Sequence, residues 1–180
     1  MTDNAKNLID FWLEAGAELW FQGGEVFDAQ CRDRFLDLHL AAARGELAEW
    51  AASAEGALAL LLLLDQMPRN IFRGSAHAYA TDPMARAVAD AAIERGHDRA
   101  YDTELRGFFY LPYMHSEALA DQQRCVALFR DVPESGSAPW AAHHHEIIER
   151  FGRFPHRNRL LGRQTTPEEH AWLDEGGFRG

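Results

Sequence analysis

Between Gly56 and Met67 the chain runs Gly-Ala-Leu-Ala-Leu-Leu-Leu-Leu-Leu-Asp-Gln-Met, apolar at almost every position. A helix that is apolar on all sides has to be covered on all sides. The run therefore predicts a central core helix, stopped by Pro68, with the rest of the chain wrapped around it. Its purely apolar part, Ala57 to Leu64, is far shorter than the roughly 20 residues a membrane span requires.

What surrounds this run is also patterned as helix. Leu8, Ile9, Trp12 and Leu13 recur at helical spacing and predict a first helix ending near Gly16. Asp28 reads as the N-cap of a helix to Arg44 with Gly45 at C′, burying Cys31, Phe35, Leu38 and Ala42. A short piece from Glu46 to Ala52 is anchored by Trp50. Asp82-Pro83 opens a helix to Arg95 before Gly96, and Thr103 to Tyr110 is another, broken at Pro112. Ser116 is expected to cap a helix to about Arg130 with Leu119, Val126 and Phe129 inward. The Pro133 to Pro139 stretch is a linker, too short to divide domains. Trp140 to Phe151 is a further helix, and Thr166-Pro167-Glu168-Glu169 is a capping box opening the last one. No stretch alternates as a strand would, so the expectation is an all-α protein of about eight antiparallel packed helices.

Size and charge limit what such a protein does. Its 180 residues suit one domain over 1–180, enough to bury about 70% of the unfolded chain's surface. A formal net charge of −10 and a pI near 5.3 argue against nucleic acid or an anionic membrane as partner. Cys31 and Cys125 lie far apart within helical patterns, which suits small core residues in a reducing compartment rather than a disulfide framework. The opening Met1 to Lys6 lacks the basic and apolar regions of a secretory leader, so a cytoplasmic location is expected.

Against this acidic background one stretch stands out. From Arg150 to Arg163 there are five arginines and no acid, which leaves a balance of −15 for all other residues. Arginine forks either clamp neighbouring carboxylates or present donors to an anion. Arg157 and Asn158, on an elbow bounded by Pro155, are the residues an anion site would use.

Three elbows carry a family resemblance. Leu64-Asp65-Gln66-Met67-Pro68-Arg69-Asn70, Leu111-Pro112-Tyr113-Met114-His115-Ser116-Glu117 and Phe151-Gly152-Arg153-Phe154-Pro155-His156-Arg157-Asn158 resemble the bacterial family called domain of unknown function 924 over about residues 6–175. The resemblance implies a helical fold similar to the tetratricopeptide superfamily, and no activity. The chain departs from the family pattern at His143-His144-His145, where one histidine, aligned with His144, is expected.

Known chemical signatures are absent. His145-Glu146-Ile147-Ile148-Glu149 nearly matches the zinc-protease helix, but Glu149 replaces the second histidine. A di-iron bundle would need Glu-x-x-His on each of two helices, a pair the sequence does not supply. There is no glycine-rich phosphate loop, and Lys6 is the only lysine. His115-Ser116-Glu117 cannot form a triad, because adjacent residues point in different directions.

The candidate ligand-binding residues are therefore Asp65, Arg69 and Asn70 on the first elbow, His115 and Glu117 on the second, His144, and Arg153, His156, Arg157 and Asn158 on the third. Converging, they would form a polar pocket for a small anionic ligand, with His115 and His156 as proton carriers. Two other readings stay open at this stage. One is a metal site of His115, Glu117, His144 and Asp65. The other is a helical protein-interaction scaffold in which the arginines and carboxylates only fix helix crossings. No cofactor, metal or catalytic residue is assigned.

Overall fold

Every regular element of the computed structural model, which describes residues 2–180, is helical, and no strand occurs among the described residues. Met1, part of the leader reading, lies outside the described residues. Among them, no helix is long and apolar enough to cross a membrane. The chain forms two compact units that divide between Pro112 and Tyr113.

In the first unit, α1 (Thr2–Gln22) breaks at Gly16, whose φ of 75° and ψ of 168° are not helical, so the break expected there occurs and the helical path then resumes. α2 (Glu25–Ala43) ends at Arg44 with Gly45 in the left-handed region, as the glycine foretold. Its start differs from expectation. Gly24 is the N-cap, and Asp28 lies one turn inside, buried against Arg73. His39 takes the core position expected of Leu38, which is only half-buried.

The central run is buried throughout, as its composition required, but Pro68 does not end it. Residues Ala54–Leu61 form α3, Leu62–Gln66 a π-turn, and Met67–Ile71 α4 with Pro68 in its first turn. In the π-turn the Met67 N–H bonds to the Leu62 carbonyl, five residues back. Proline has no N–H to give Leu64 in the α register or Leu63 in the π register. Both carbonyls are met from elsewhere in the unit: Leu63 by His39 Nδ1 at 2.8 Å and Leu64 by the Thr81 hydroxyl at 2.6 Å. The helix continues past proline because tertiary donors replace the missing ones. Thr81→Val should thus leave the Leu64 oxygen buried and unsatisfied and cost about 1–3 kcal/mol in urea unfolding. A variant as stable as wild type would show that Thr81 has no such role.

Around this run pack α1, α5 (Asp82–Glu94) and the 3-10 turn Ala48–Ala52 against α3, while α2 lies on the π-turn and α4. The approach to the 3-10 turn is so close that a Cβ on Gly56 would lie 2.1 Å from the Trp50 carbonyl oxygen. Aromatic rings close the far side: Phe11 stacks on Phe27 at 5.5 Å, and Trp12 meets Phe108 edge-on at 6.0 Å. α6 (Thr103–Gly107) completes the unit, and α7 (Leu111–Met114) holds the division.

The second unit is built on α8 (Leu119–Phe129), α9 (Ala138–Phe151) and α10 (Pro167–Asp174). Ser116 does not cap α8, which starts after Ala118. Its hydroxyl accepts from the Ala118 N–H and donates to Asp121. The inward stripe is Gln122, Cys125 and Phe129, whereas Leu119 is exposed and Val126 half-buried. Gln122 has a structural task the sequence did not reveal. Its amide donates to the carbonyls of Tyr113, Met114 and Ser116 and so ties down the second elbow. Ile147, Ile148 and Phe154 form the apolar centre, with Phe151, Trp172 and Phe178 partly buried against it.

Candidate functional site

The first elbow is built on the π-turn. Asp65, 1% exposed, accepts from Gln66 Nε2 and lies 3.4 Å from Arg69 Nη2. Arg69 turns its fork onto Asp82, at 3.0 and 3.2 Å. Burial disfavours the Arg69 charge, but Asp65 and Asp82 outweigh it and hold the guanidinium above its ordinary value. Asn70 is buried and accepts from Arg73 at 2.9 Å, and Arg73 clamps Asp28 with two bonds of 2.6 and 3.0 Å. The space here is full: a Cβ on Gly23 would fall 2.0 Å from Arg73 Nη2.

In the second unit, the second and third elbows meet. Glu117 accepts the Phe154 N–H at 2.8 Å and both ends of the Arg163 fork, at 2.7 and 3.0 Å. Burial pushes the Glu117 carboxyl up, while Arg163 and the Phe154 N–H bring it to a net position below its usual range. Arg157, 6% exposed, lays its guanidinium 4.4 Å over the Phe154 ring and donates to the His115 carbonyl at 3.0 Å.

The capping box supplies a further hub. Glu169 accepts from Arg153 at 2.6 and 2.8 Å, from Asn158 Nδ2 at 3.1 Å and from the Thr166 N–H at 2.7 Å. The Arg153 bonds, joined by those from Thr166, hold its carboxyl down at about 2 despite burial. Asn158, fully buried, is thus part of a clamp.

Of the two proton carriers the sequence suggested, His156 is packed among aromatic rings, and so is His144. His144 is buried with Nδ1 2.9 Å from the Trp140 carbonyl, which can only accept, so Nδ1 carries the hydrogen. Burial, with the nearby charges of His115 and Arg157, lowers His144 to about 3. His156 sits edge-on to Phe178 at 5.1 Å and beside Phe154 at 5.6 Å, and burial followed by Arg157 lowers it to about 3 as well. Both are neutral apolar-cluster residues at physiological pH, out of range for proton exchange near neutrality. Phe178, 4.7 Å from His144, covers them, a contact that no sequence spacing announced.

The structure thus brings His115, Glu117, His144, Arg153, His156, Arg157 and Asn158 into the second unit's elbow network, while Asp65, Arg69 and Asn70 belong to the first unit. Sequence reading missed the partners Asp28, Asp82, Arg163 and Glu169. Local signals marked Asp28 and Asp82 at helix starts, Arg163 in the arginine-rich stretch and Glu169 in the capping box, but none of them named the residue it pairs with. Among the described residues, no three His, Cys, Asp or Glu side chains are grouped to hold a metal ion.

Comparison with known proteins gives a family and a fold. A model of the family described as "Bacterial protein of unknown function (DUF924)" matches residues 8–177. The chain is similar to a solved structure of the protein of unknown function ATU0120 from Agrobacterium tumefaciens, at 54% identity and a TM-score of 0.93, covering 97% of this chain and 99% of that one. No curated protein matches.

Proposed function

Because the chain belongs to DUF924, a bacterial family of unknown function, we propose from its own residues that it is a helical scaffold that holds a partner protein. In this reading the arginine and carboxylate network serves the fold. The observation that carries it is the occupation of the elbow forks: Arg69 is bound to Asp82, Arg73 to Asp28, Arg153 to Glu169 and Arg163 to Glu117, each through two hydrogen bonds. A free anion would have to displace a carboxylate already held in bidentate geometry, at a high effective concentration.

A small anionic ligand is the second reading, favoured by the five arginines and no acid between Arg150 and Arg163 in a chain of net charge −10. Thermal unfolding in low-millimolar phosphate, against chloride at matched ionic strength, separates the two. The scaffold reading expects equal melting temperatures. A saturable phosphate-dependent rise, about 2.7 kcal/mol at a hundredfold excess over Kd and lost in Arg157→Lys, would overturn it in favour of the anion site.

A further inference from the structure

Beyond α10 the chain turns back across the second unit and lays Phe178 into a box of rings. His144 stands 4.7 Å from the Phe178 ring at 65°, His156 5.1 Å at 85° and His143 5.7 Å at 80°, with Trp140 at 6.1 Å. Three walls therefore meet it edge to face, an arrangement that aromatic pairs prefer at centroid separations of about 4.5–7 Å. The walls also hold one another. Nδ1 of His144 is bound to the Trp140 carbonyl, and Phe154 packs on His144 at 5.4 Å and on His156 at 5.6 Å. α9 supplies Trp140, His143 and His144, and the 3-10 turn Pro155–Arg157 supplies His156, so the box is built from the body of the unit. His143, from the triple run that departs from the family pattern, thus has a place as one of its walls.

The occupant is held differently from the walls. Gly177 lets the chain leave α10 tightly against Trp172, where a Cβ would fall 2.5 Å from the indole. The Gly176 and Gly177 N–H groups bond to the Leu173 and Trp172 carbonyls, and Arg179 donates to the Leu173 carbonyl, all at the end of α10. Among the described residues, no hydrogen bond ties 176–180 to α9 or to the third elbow. What keeps this strap on the box is the Phe178 ring, partly buried against Ile147, Ile148 and Phe154, with the Gly180 backbone close to His156. A segment fixed mainly by one side chain opens at lower free energy than the helices beneath it. Trp140, 50% exposed, brings the mouth of the box to the surface.

A preformed box of rings, filled by a ring on a lightly tied strap, shows which chemistry fits it. Resting on the scaffold reading, we propose that this box docks an aromatic side chain of a partner protein, and that Phe178 closes it in the free protein as an autoinhibitory contact. The partner's ring takes the position of Phe178 against His143, His144, His156 and Trp140. The strap swings away without disturbing α9 or the 3-10 turn, to which it makes no hydrogen bond. An aliphatic side chain would fill the space but lose the edge-to-face contacts. Tethered close by, Phe178 competes at a high effective concentration, so a partner has to add contacts beyond the ring to displace it.

The test uses the full chain and peptide copies of its own stretch from Asp174 to Gly180, one unchanged and two in which leucine or serine replaces the phenylalanine. Phe178→Ser empties the box. In NMR titrations of isotope-labelled Phe178→Ser protein, the unchanged peptide should shift the Trp140 indole and His144 amide signals saturably. The leucine copy should bind severalfold more weakly, and the serine copy not at all. Wild type should bind the unchanged peptide about tenfold more weakly or not at all, because its own strap competes. Trp140→Ala in the Phe178→Ser chain removes a wall and should weaken binding by about tenfold or more. The unchanged peptide should also raise the melting temperature of Phe178→Ser, through linkage. The proposal is overturned by no saturable shift in Phe178→Ser, by equal binding of the leucine or serine copy, or by equal binding to wild type. It is overturned too by a Phe178→Ser chain that does not fold, since the ring is then part of the fold rather than an occupant, or by a wild-type dimer that Phe178→Ser dissolves. Such a failure, with phosphate still giving no saturable stabilisation, removes this site and leaves the scaffold reading standing. A phosphate response removes the scaffold reading itself.

Discussion

Glu169→Ala is expected to destabilise the protein by about 3–5 kcal/mol, because it removes a buried carboxylate and strands its donors. The side chain is 2% exposed and accepts from Arg153, Asn158 and the Thr166 N–H. Its loss leaves Asn158 buried without that acceptor, removes the Thr166 N–H half of the α10 capping box and releases the Arg153 fork. Arg153 is about one-quarter exposed and can rehydrate, which favours the lower end of the range. Urea unfolding measures the loss, and Arg153→Ala provides the companion: if the two residues form one hub, the double variant should cost clearly less than the sum of the singles. A Glu169→Ala loss below about 1 kcal/mol, the size expected of a surface ion pair, would show that the cluster is a solvated pair rather than a hub. The pH direction follows from the same bonds. With its carboxyl at about 2 in the folded chain, Glu169 stabilises fully above the ordinary value of 4.5, and that contribution disappears as pH falls towards 2.

Acid should weaken the fold well before the carboxylates titrate. His144 and His156 have an ordinary value of 6.5 and are lowered to about 3 by burial. Above pH 6.5 they are neutral folded or unfolded, and their stabilising contribution is complete. As pH falls from 6.5 towards 3 the unfolded chain takes up protons that the folded one refuses, and stability declines. Each histidine contributes a slope of about 1.4 kcal/mol per pH unit in that window, so the pair gives about 2.7. His39, lowered by burial against the π-turn, acts in the same direction. Unfolding free energy measured from pH 7.5 to 4.5 should drop steeply below pH 6. His144→Phe and His156→Phe, which keep an aromatic ring among Phe154, Phe178 and Trp140, should flatten the curve. Identical slopes in wild type and both variants would mean that these imidazoles titrate freely and are not held in the cluster.

Much of the helical layout was legible because its determinants are local. The Thr166 to Glu169 capping box, Gly45 and Gly96 beyond their helix ends, and the burial of the Gly56 to Met67 run each depend on residues within a turn or two of one another. The family motifs also marked the three elbows. Their chemistry was harder to read. An arginine at Arg69, Arg153 or Arg163 suits an anion site and a clamp equally well until its partner is known. Those partners, Asp82, Glu169 and Glu117, are respectively 13, 16 and 46 residues away.

By itself, then, the sequence determined that this chain is helical, where most helices begin and end, and which run lies at the centre, since caps, breakers and apolar spacing act over a few residues. Tertiary structure alone decided how the core helix passes Pro68, because the donors for Leu63 and Leu64 come from His39 and Thr81, 24 and 17 residues away. It also decided that His144 and His156 are neutral, because a histidine's protonation depends on whether apolar rings and positive charges surround it. Phe154, Phe178 and Arg157 are placed there by folding, through packing and desolvation that no local spacing encodes.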